Sequence, residues 1–449
     1  MSHFVIIGNG ISGITTARHL RKLDSEAKIT VISAETDYFF SRTALMYIYM
    51  GHMRFEDTQP YESWFWKKNR IGLQRGYVEH VDFYSKSLKF SDGRSLLYDN
   101  LVLATGSKSN KFGWKGQDLD GVQGLYSYQD LELLEKNTNP YGQEQKVRRA
   151  VIVGGGLIGI ELAEMLMSRG IPVTFLVRES LFWGNVLPEG ESKLIMRHMA
   201  EHHVDLRLES ELDEIISDAH GRVKEVRTKS GEIIPCELVG LTAGVSPNID
   251  FLKGSALGLD RGILVDAYMK TDQEDVYALG DCAQFKESIG DRRPIEQIWY
   301  TGRMMGETLA MTLAGKPTKY QPGHWFNSAK FFDIEYQTYG WVFPEVREGE
   351  KHFYWEHTKG KMCMRFNYLK ESGKLIGINS FGIRLRHEVI DKWLSAERDL
   401  DYVIAHLRDV NFDPEFYKTY ETDICQGYEA HSGKKISLQK RSLQRIFGL

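Results

Sequence analysis

Residues 5–18 read VIIGNGISGITTAR, and residues 151–164 read VIVGGGLIGIELAE. Each is a short apolar, β-branched run, then G-x-G-x-x-G, then a stretch whose apolar residues recur at helical spacing. Each glycine answers a separate physical demand. The first permits the tight strand-to-helix turn, the second lets backbone approach a pyrophosphate, and the third lets the helix pack closely on the strand. The amides and dipole of the helix N-terminus then face the phosphates.

The first unit carries Gly8, Gly10 and Gly13, then a helix through Ile14, Ala17 and Leu20. Its second strand, KITVIS, is followed by Glu35, 22 residues past Gly13. A carboxylate at that place meets ribose hydroxyls. The second unit carries Gly154, Gly156 and Gly159, and its second strand, PVTFLV, runs into Arg178, 19 residues past Gly159. An arginine there accommodates a 2′-phosphate that an acid would repel, which favours NADPH. Glu179 sits beside it and no second basic residue follows in SLFWGNV, so NADH and NADPH both stay open. Two fingerprints mean two dinucleotides, and electron transfer between them is the economical reason to hold both.

The rest of the chain sets bounds. Its 449 residues, 42% hydrophobic and 26% charged, fit two or three soluble globular domains. A net charge of −4 gives no case for nucleic acid. No apolar run reaches membrane-spanning length. The N-terminus, MSHFVIIGNG, enters a strand at once without the basic segment of a signal peptide, so a cytoplasmic location is expected. Cys236, Cys282, Cys363 and Cys425 form no C-x-x-C and are read as buried or idle thiols. The histidines, His202–His203 among them, are read as lacking a ligand spacing, so no metal site is expected.

Two further turns end strands in small residues, where the chain can pass close beside a cofactor. They are LVLATGS (101–107), with Ala104, Thr105 and Gly106, and GLTAGVSPN (240–248), with Gly244. TDQEDVYALGDCAQF (271–285) sets Asp281 at a strand end beside glycine, where it can bind a polyol. With these motifs the chain resembles the two-dinucleotide flavoprotein reductases of the glutathione reductase superfamily, over about residues 1–385.

That resemblance implies FAD on the first fingerprint, with Glu35 on its ribose. Asp281, ending a T-x6-A-x-G-D run from Thr271, would hold the ribityl chain, and NADH or NADPH would occupy the second fingerprint. The fold class expected is α/β. Two Rossmann-like domains, for FAD (1–112 and 247–325) and NAD(P)H (113–246), precede a C-terminal α+β domain (326–449) with a helical, basic tail. GKPTKYQPGHW (315–325) is the linker, and KMCMRFNYLKESGKLIGINSFG (361–382) alternates in strand fashion around an ESGK turn.

Branches of the superfamily differ just after the first ribose acid. Disulfide reductases carry C-x4-C there, and peroxidases, oxidases and coenzyme A disulfide reductases carry one cysteine in an F-L-S-C-G-like context. This chain reads YFFSRTALMYIYMG (38–51), keeping Ser41 but placing Arg42 in the cysteine's position. An arginine forms neither a sulfenic acid nor a mixed disulfide, so thiol chemistry is excluded at this position. Arg42 and Leu45 match instead an R-P-P-L-S-K-like stretch. It marks the branch of ferredoxin, rubredoxin and putidaredoxin reductases and apoptosis-inducing factor. Both prolines are absent, and Tyr47 stands about where the lysine would be. In that branch the lysine pairs with a glutamate near flavin N5. Glu161 matches the glutamate, and Arg42 or Tyr47 are its candidate partners. RRPIEQIWYTGRMMGE (292–307) resembles the branch's E-x-x-W/H helix. That likeness places Glu296 and Trp299 by the flavin, on a helix over 296–310 whose positive end favours negative charge there.

The expected activity is an FAD-dependent NAD(P)H:acceptor oxidoreductase. Glu161 orients the nicotinamide for hydride transfer, and electrons leave for an external iron–sulfur protein of ferredoxin or rubredoxin type. Two alternatives stay open: a type II NADH:quinone reductase, and an interaction protein whose surface is switched by redox state. The tail SGKKISLQKRSLQRIFGL (432–449) is basic, with Leu443, Ile446 and Phe447 at helical spacing, and suits a membrane surface or an acidic partner. Trp64 and Trp66 are read as core or interface, and a homodimer is compatible with the sequence.

Overall fold

The structure, a computed structural model, describes residues 2–139, 147–412 and 418–440. β1 (His3–Ile7) is hydrogen-bonded in parallel on both edges, and its side chains Phe4–Ile7 are buried in the core. Helix α1 (Ile11–Leu23) returns the chain to β2 (Lys28–Ser33), and short α2 (Leu45–Tyr49) follows. β3 (Ile71–Arg75) and β4 (Asn100–Leu103) complete the early part of the first sheet.

The chain then builds a second sheet from β5 (Val122–Gln123), β6 (Ala150–Val153), β7 (Val173–Leu176), β8 (Asp205–Arg207) and β9 (Leu238–Leu241). Helix α3 (Leu157–Ser168) joins β6 to β7, and α4 (Glu189–Glu201) precedes β8. β10 (Val276–Ala278) rejoins the first sheet. The orders are β10-β4-β1-β2-β3 and β8-β7-β6-β9-β5, each parallel throughout. Each glycine turn therefore follows the central strand of its sheet. The two crossings between the sheets run side by side, with Ser107–Ser109 antiparallel to Val245–Pro247.

Helix α5 (Trp299–Leu313) lies on α1 with almost no side chain between them. A Cβ on Gly302 would sit 2.5 Å from Ser12 Oγ, and one on Gly306 would sit 2.7 Å from the Ser12 carbonyl oxygen. Gly302, in the first turn of α5, and Gly306, one turn further on, both lie against Ser12 in the first turn of α1. The helix starts at Trp299 rather than at Glu296, because Ile298 is extended.

Beyond 325 an antiparallel sheet is made of β11 (Phe326–Phe331), β12 (Ile334–Gly340), β13 (Glu350–Glu356), β14 (Cys363–Leu369) and β15 (Leu375–Phe381). Its order is β11-β12-β15-β14-β13, and β14–β15 is the hairpin around ESGK. This sheet packs on the second unit. Arg365 of β14 pairs in bidentate fashion with Glu191 of α4 (2.7 and 3.0 Å), both side chains buried. Lys330 of β11 binds Glu164 of α3 at 2.8 Å.

Trp66 is in the first unit's core against Tyr61 and Phe65, while Trp64 is exposed. The described part of the tail is tied to the residues around the antiparallel sheet. Ile436 and Leu438 pack on its core, and Lys434 pairs with Asp401. Arg441, Leu443, Arg445, Ile446 and Phe447 lie outside the described residues.

Candidate dinucleotide sites

The two glycine turns have the same internal construction. Gly8 N donates to Ile32 O (2.8 Å), and Gly154 N donates to Leu176 O (3.0 Å). Both first glycines take left-handed φ values, +116° and +113°. A Cβ on Gly8 would fall 2.0 Å from Ala104 O, and one on Gly154 would fall 2.9 Å from Ala243 Cα. The third glycines are as tightly held: Cβ atoms on Gly13 and Gly159 would meet the carbonyl oxygens of Gly8 and Gly154 at 2.1 and 2.8 Å.

Gly10 and Gly156 differ from these four. Nothing in the described protein lies within 4 Å of a Cβ built on either. Neither has a positive φ, and no side chain caps the helix behind either one. Internal packing does not require glycine at these two positions, whereas a pyrophosphate approaching the bare backbone and the uncapped helix amides does. The residues present fit a dinucleotide at each turn.

Past the first turn a polar network crosses the site. Arg42 clasps Glu35 through the two terminal guanidinium nitrogens (2.7 and 2.5 Å) and also donates to Tyr126 O (2.6 Å). Its guanidinium lies 4.6 Å from the Tyr126 ring centre. Glu35 also accepts from Tyr128 N at 2.8 Å, and a carboxylate retains lone pairs for ribose hydroxyls. Tyr126 accepts from Ser107 N (3.0 Å) and donates to Asp281 (3.2 Å). Burial raises the Asp281 carboxyl above the usual aspartate range. The A-T-G turn is laced to the other crossing, since Thr105 Oγ1 donates to Asn248 O (2.8 Å) and Asn248 N donates to Gly106 O (2.9 Å). Gly106 and Gly244 both take positive φ.

The second site is barer. Arg178 is 73% exposed and touches its neighbour Glu179 at 2.8 Å. Glu161, on the second turn of α3, has its carboxyl raised to about 7 by burial and then by the Glu164 charge. Among the described residues no hydrogen bond joins Glu161 to Arg42 or Tyr47. Arg42 is spent on Glu35 and Tyr126, and Tyr47 stacks on His52.

A family model described as pyridine nucleotide-disulphide oxidoreductase matches residues 2–306. The chain belongs to that family. It is an FAD-dependent NAD(P)H oxidoreductase, and FAD and NAD(P)H are its cofactors. A ferredoxin–NAD(P)(+) reductase of Sphingomonas is 30% identical over 340 residues, covering 75% of this chain and 80% of that protein. A ferredoxin reductase structure from Rhodopseudomonas palustris superposes with a TM-score of 0.76 at 22% identity, covering 85% of this chain and 91% of that one. The NAD-dependent persulfide reductase structure from A. fulgidus gives 0.80 at 21% identity, covering 96% and 84%. At such identities the two structures speak for the fold alone.

The disulphide in the family's description has no counterpart here, because all four cysteines are free and buried. Burial pushes their thiols up, Cys236 to about 12. Cys282 donates weakly to the carbonyls of Leu103 and Leu279, both at 3.4 Å.

Other residues stand as follows. Trp299 is half-buried at the first position of α5, edge-on to Tyr300. Glu296 is locked with Arg292 (3.2 Å), and Thr301 Oγ1 donates to it (3.1 Å). That pairing fastens the approach to α5. Gln297 reaches both crossings, donating to Ser107 Oγ (2.8 Å) and Val245 O (3.3 Å). Sequence reading missed Tyr126, which belongs to no motif, and passed over Arg292 and Gln297 inside the stretch read for Glu296 and Trp299. It also passed over a signal that was present. His198 in the last turn of α4 and His202 at its C-cap are four apart, and the reading that no ligand spacing exists is corrected here.

Proposed function

We propose that this enzyme passes electrons from NAD(P)H through FAD to a small iron–sulfur protein of ferredoxin or rubredoxin type. The observation that carries the proposal is the absence of an accessible thiol. Arg42 occupies the position of the redox cysteine and is held on Glu35, while every cysteine is buried. Electrons that reach the flavin then have no protein disulfide to reduce and leave for an external acceptor. Relatives named ferredoxin, rhodocoxin and rubredoxin reductases support the same branch.

In this reading residues 1–112 and 247–325 form the FAD domain, 113–246 the NAD(P)H domain and 326–449 the C-terminal domain. The backbone at Gly8, Gly10 and Gly13 and the α1 amides hold the FAD pyrophosphate, with Glu35 on the ribose and Asp281 on the ribityl chain. Ala104, Thr105, Gly106 and Gly244 let the crossings lie against the cofactors. Gly154, Gly156 and Gly159 hold the nicotinamide dinucleotide, with Arg178 beside its ribose. Bound flavin supplies hydride acceptance and the release of single electrons. Glu161, able to hold its proton near neutrality, orients the nicotinamide carboxamide as donor or acceptor. Tyr47 and Trp299 border the ring site.

Arg261 and Arg293 flank an open cleft of about 440 Å³, lined also by Ser246, Pro247, Ile295 and Gln297. Both are exposed, and they suit an acidic acceptor surface, which would dock with a salt-dependent rate. The test is anaerobic turnover with NAD(P)H against a [2Fe–2S] ferredoxin, a rubredoxin and a quinone in detergent. Turnover with either iron–sulfur protein, weakened by Arg293→Glu, is the expected result. Turnover with quinone alone overturns the proposal.

A further inference from the structure

The C-terminal end of α4 carries a cluster that the dinucleotide chemistry does not use. His198 and His202, one turn apart, both bring Nε2 close to Oδ1 of Asp333, at 2.5 and 3.2 Å. Asp333 lies in the two-residue turn between β11 and β12, 131 residues away in sequence. One donor atom from each residue lies within 4.8 Å of the others. The His198 side chain is only 1% exposed, yet among the described residues neither of its ring nitrogens makes an aligned hydrogen bond. Its close approach to Asp333 is not along an N–H direction, so a buried imidazole lies against a carboxylate that does not satisfy it. Leaving such a group unsatisfied is costly.

The surroundings hold the donors in place. The His202 ring stacks on Phe332 (4.4 Å between centres, 10° between planes). Phe332, in the same turn as Asp333, takes a φ of +53°, unusual for a bulky residue. Glu201 Oε2 stands 3.5 Å from the other nitrogen of His198, the position from which a carboxylate orients a metal-bound histidine. Lys361 lies 3.2 Å from Glu201 Oε2 and 3.9 Å from Asp333 Oδ2, whereas the histidines approach Asp333 at Oδ1. It offsets part of the negative charge of both acids.

We propose that His198 Nε2, His202 Nε2 and Asp333 Oδ1 bind a zinc ion, or a divalent cation of similar preference, that clamps the β11–β12 turn to α4. Two neutral imidazoles and one carboxylate are a donor set that zinc accepts, with bond lengths of about 2.0–2.2 Å. Asp333 is 62% exposed, so water completes the coordination. The clamp lies between the second unit and the C-terminal sheet and is independent of the identity of the electron acceptor.

The test uses the untagged, FAD-loaded chain, stripped with chelator and dialysed against zinc chloride. One zinc per chain is expected, together with a zinc-dependent rise in melting temperature. Asp333→Asn, at an exposed position, and His202→Gln should each abolish both. Glu201→Gln should weaken zinc binding about tenfold, as loss of an orienting carboxylate does. Cobalt in place of zinc should give ligand-field bands at wavelengths beyond oxidised flavin absorption, missing in Asp333→Asn. A wild-type chain that takes up no more zinc than the two variants, or variants that retain it fully, would overturn the proposal.

Discussion

The two glycine turns are one device used in two settings. Within each turn the first and third glycines are fixed by the protein's own backbone, and only the middle one faces open space. The settings differ at the end of the second strand. Glu35 is gripped by Arg42 and Tyr128, with its side chain 20% exposed, whereas Arg178 is 73% exposed beside Glu179. A turn built on main-chain contacts is repeatable. The residue that reads the ribose takes its character from what surrounds it. A site already furnished with a polar network suits a cofactor that stays, and a bare one suits a cofactor that exchanges each turnover.

The largest expected effects break the parallel at its foundations. Arg365→Ala should destabilise the second unit's contact with the C-terminal sheet by about 3–5 kcal/mol, since it strands the buried Glu191 charge. Denaturant unfolding of the holoenzyme reads this. Gly13→Ala should cost about 3 kcal/mol or more, because its Cβ meets backbone at 2.1 Å. Gly10→Ala and Gly156→Ala should leave the fold's stability nearly unchanged, for want of any clash. Gly10→Ala should lose FAD retention, and Gly156→Ala should raise the KM for NAD(P)H about tenfold or more through lost charge-assisted contacts. Flavin absorbance after gel filtration and steady-state kinetics separate the two. Equal unfolding of Gly10→Ala and Gly13→Ala would break the account of the middle glycine.

Smaller effects sharpen the comparison. Arg178→Glu should lower the NADPH/NADH ratio of kcat/KM by about tenfold, near the weak end for a lost contact to the 2′-phosphate, because the side chain is so exposed. An unchanged ratio would remove Arg178 as the reader. Glu161 supplies a pH test. Its carboxyl, raised from 4.5 to about 7, keeps its proton in the folded chain where the unfolded chain has released it. Stability from this group is full below about 4.5 and is lost as pH rises through about 7. Melting temperature should fall between pH 5 and pH 8 more in wild type than in Glu161→Gln.

What was legible in the sequence follows the range of the interactions. The glycine turns, their strands and the ESGK hairpin depend on residues close in the chain, so spacing and alternation revealed them. Asp281 was legible because it ends a compact motif. Tyr126 was not, because its link to Asp281 spans 155 residues and no pattern marks it. Arg42 was found as a substitution, but its clasp on Glu35 was not, and the role offered to it beside Glu161 has no hydrogen bond behind it. Glu296 was placed by resemblance near the flavin, while its strongest contact is Arg292, four residues away. His198 and His202 carried a readable spacing, but their acid lies far along the chain, in the turn between β11 and β12. A ligand set divided in this way shows only half its pattern in one stretch of sequence.

The central claim is that electrons pass from nicotinamide to flavin and out of the protein with no thiol between. Anaerobic reductive titration of the holoenzyme with NAD(P)H or dithionite tests it most directly. Arg42 at the cysteine's position and four buried, free cysteines predict uptake of two electrons per flavin and no thiolate–flavin charge-transfer band. Uptake of four electrons, accompanied by that long-wavelength band, would contradict the account.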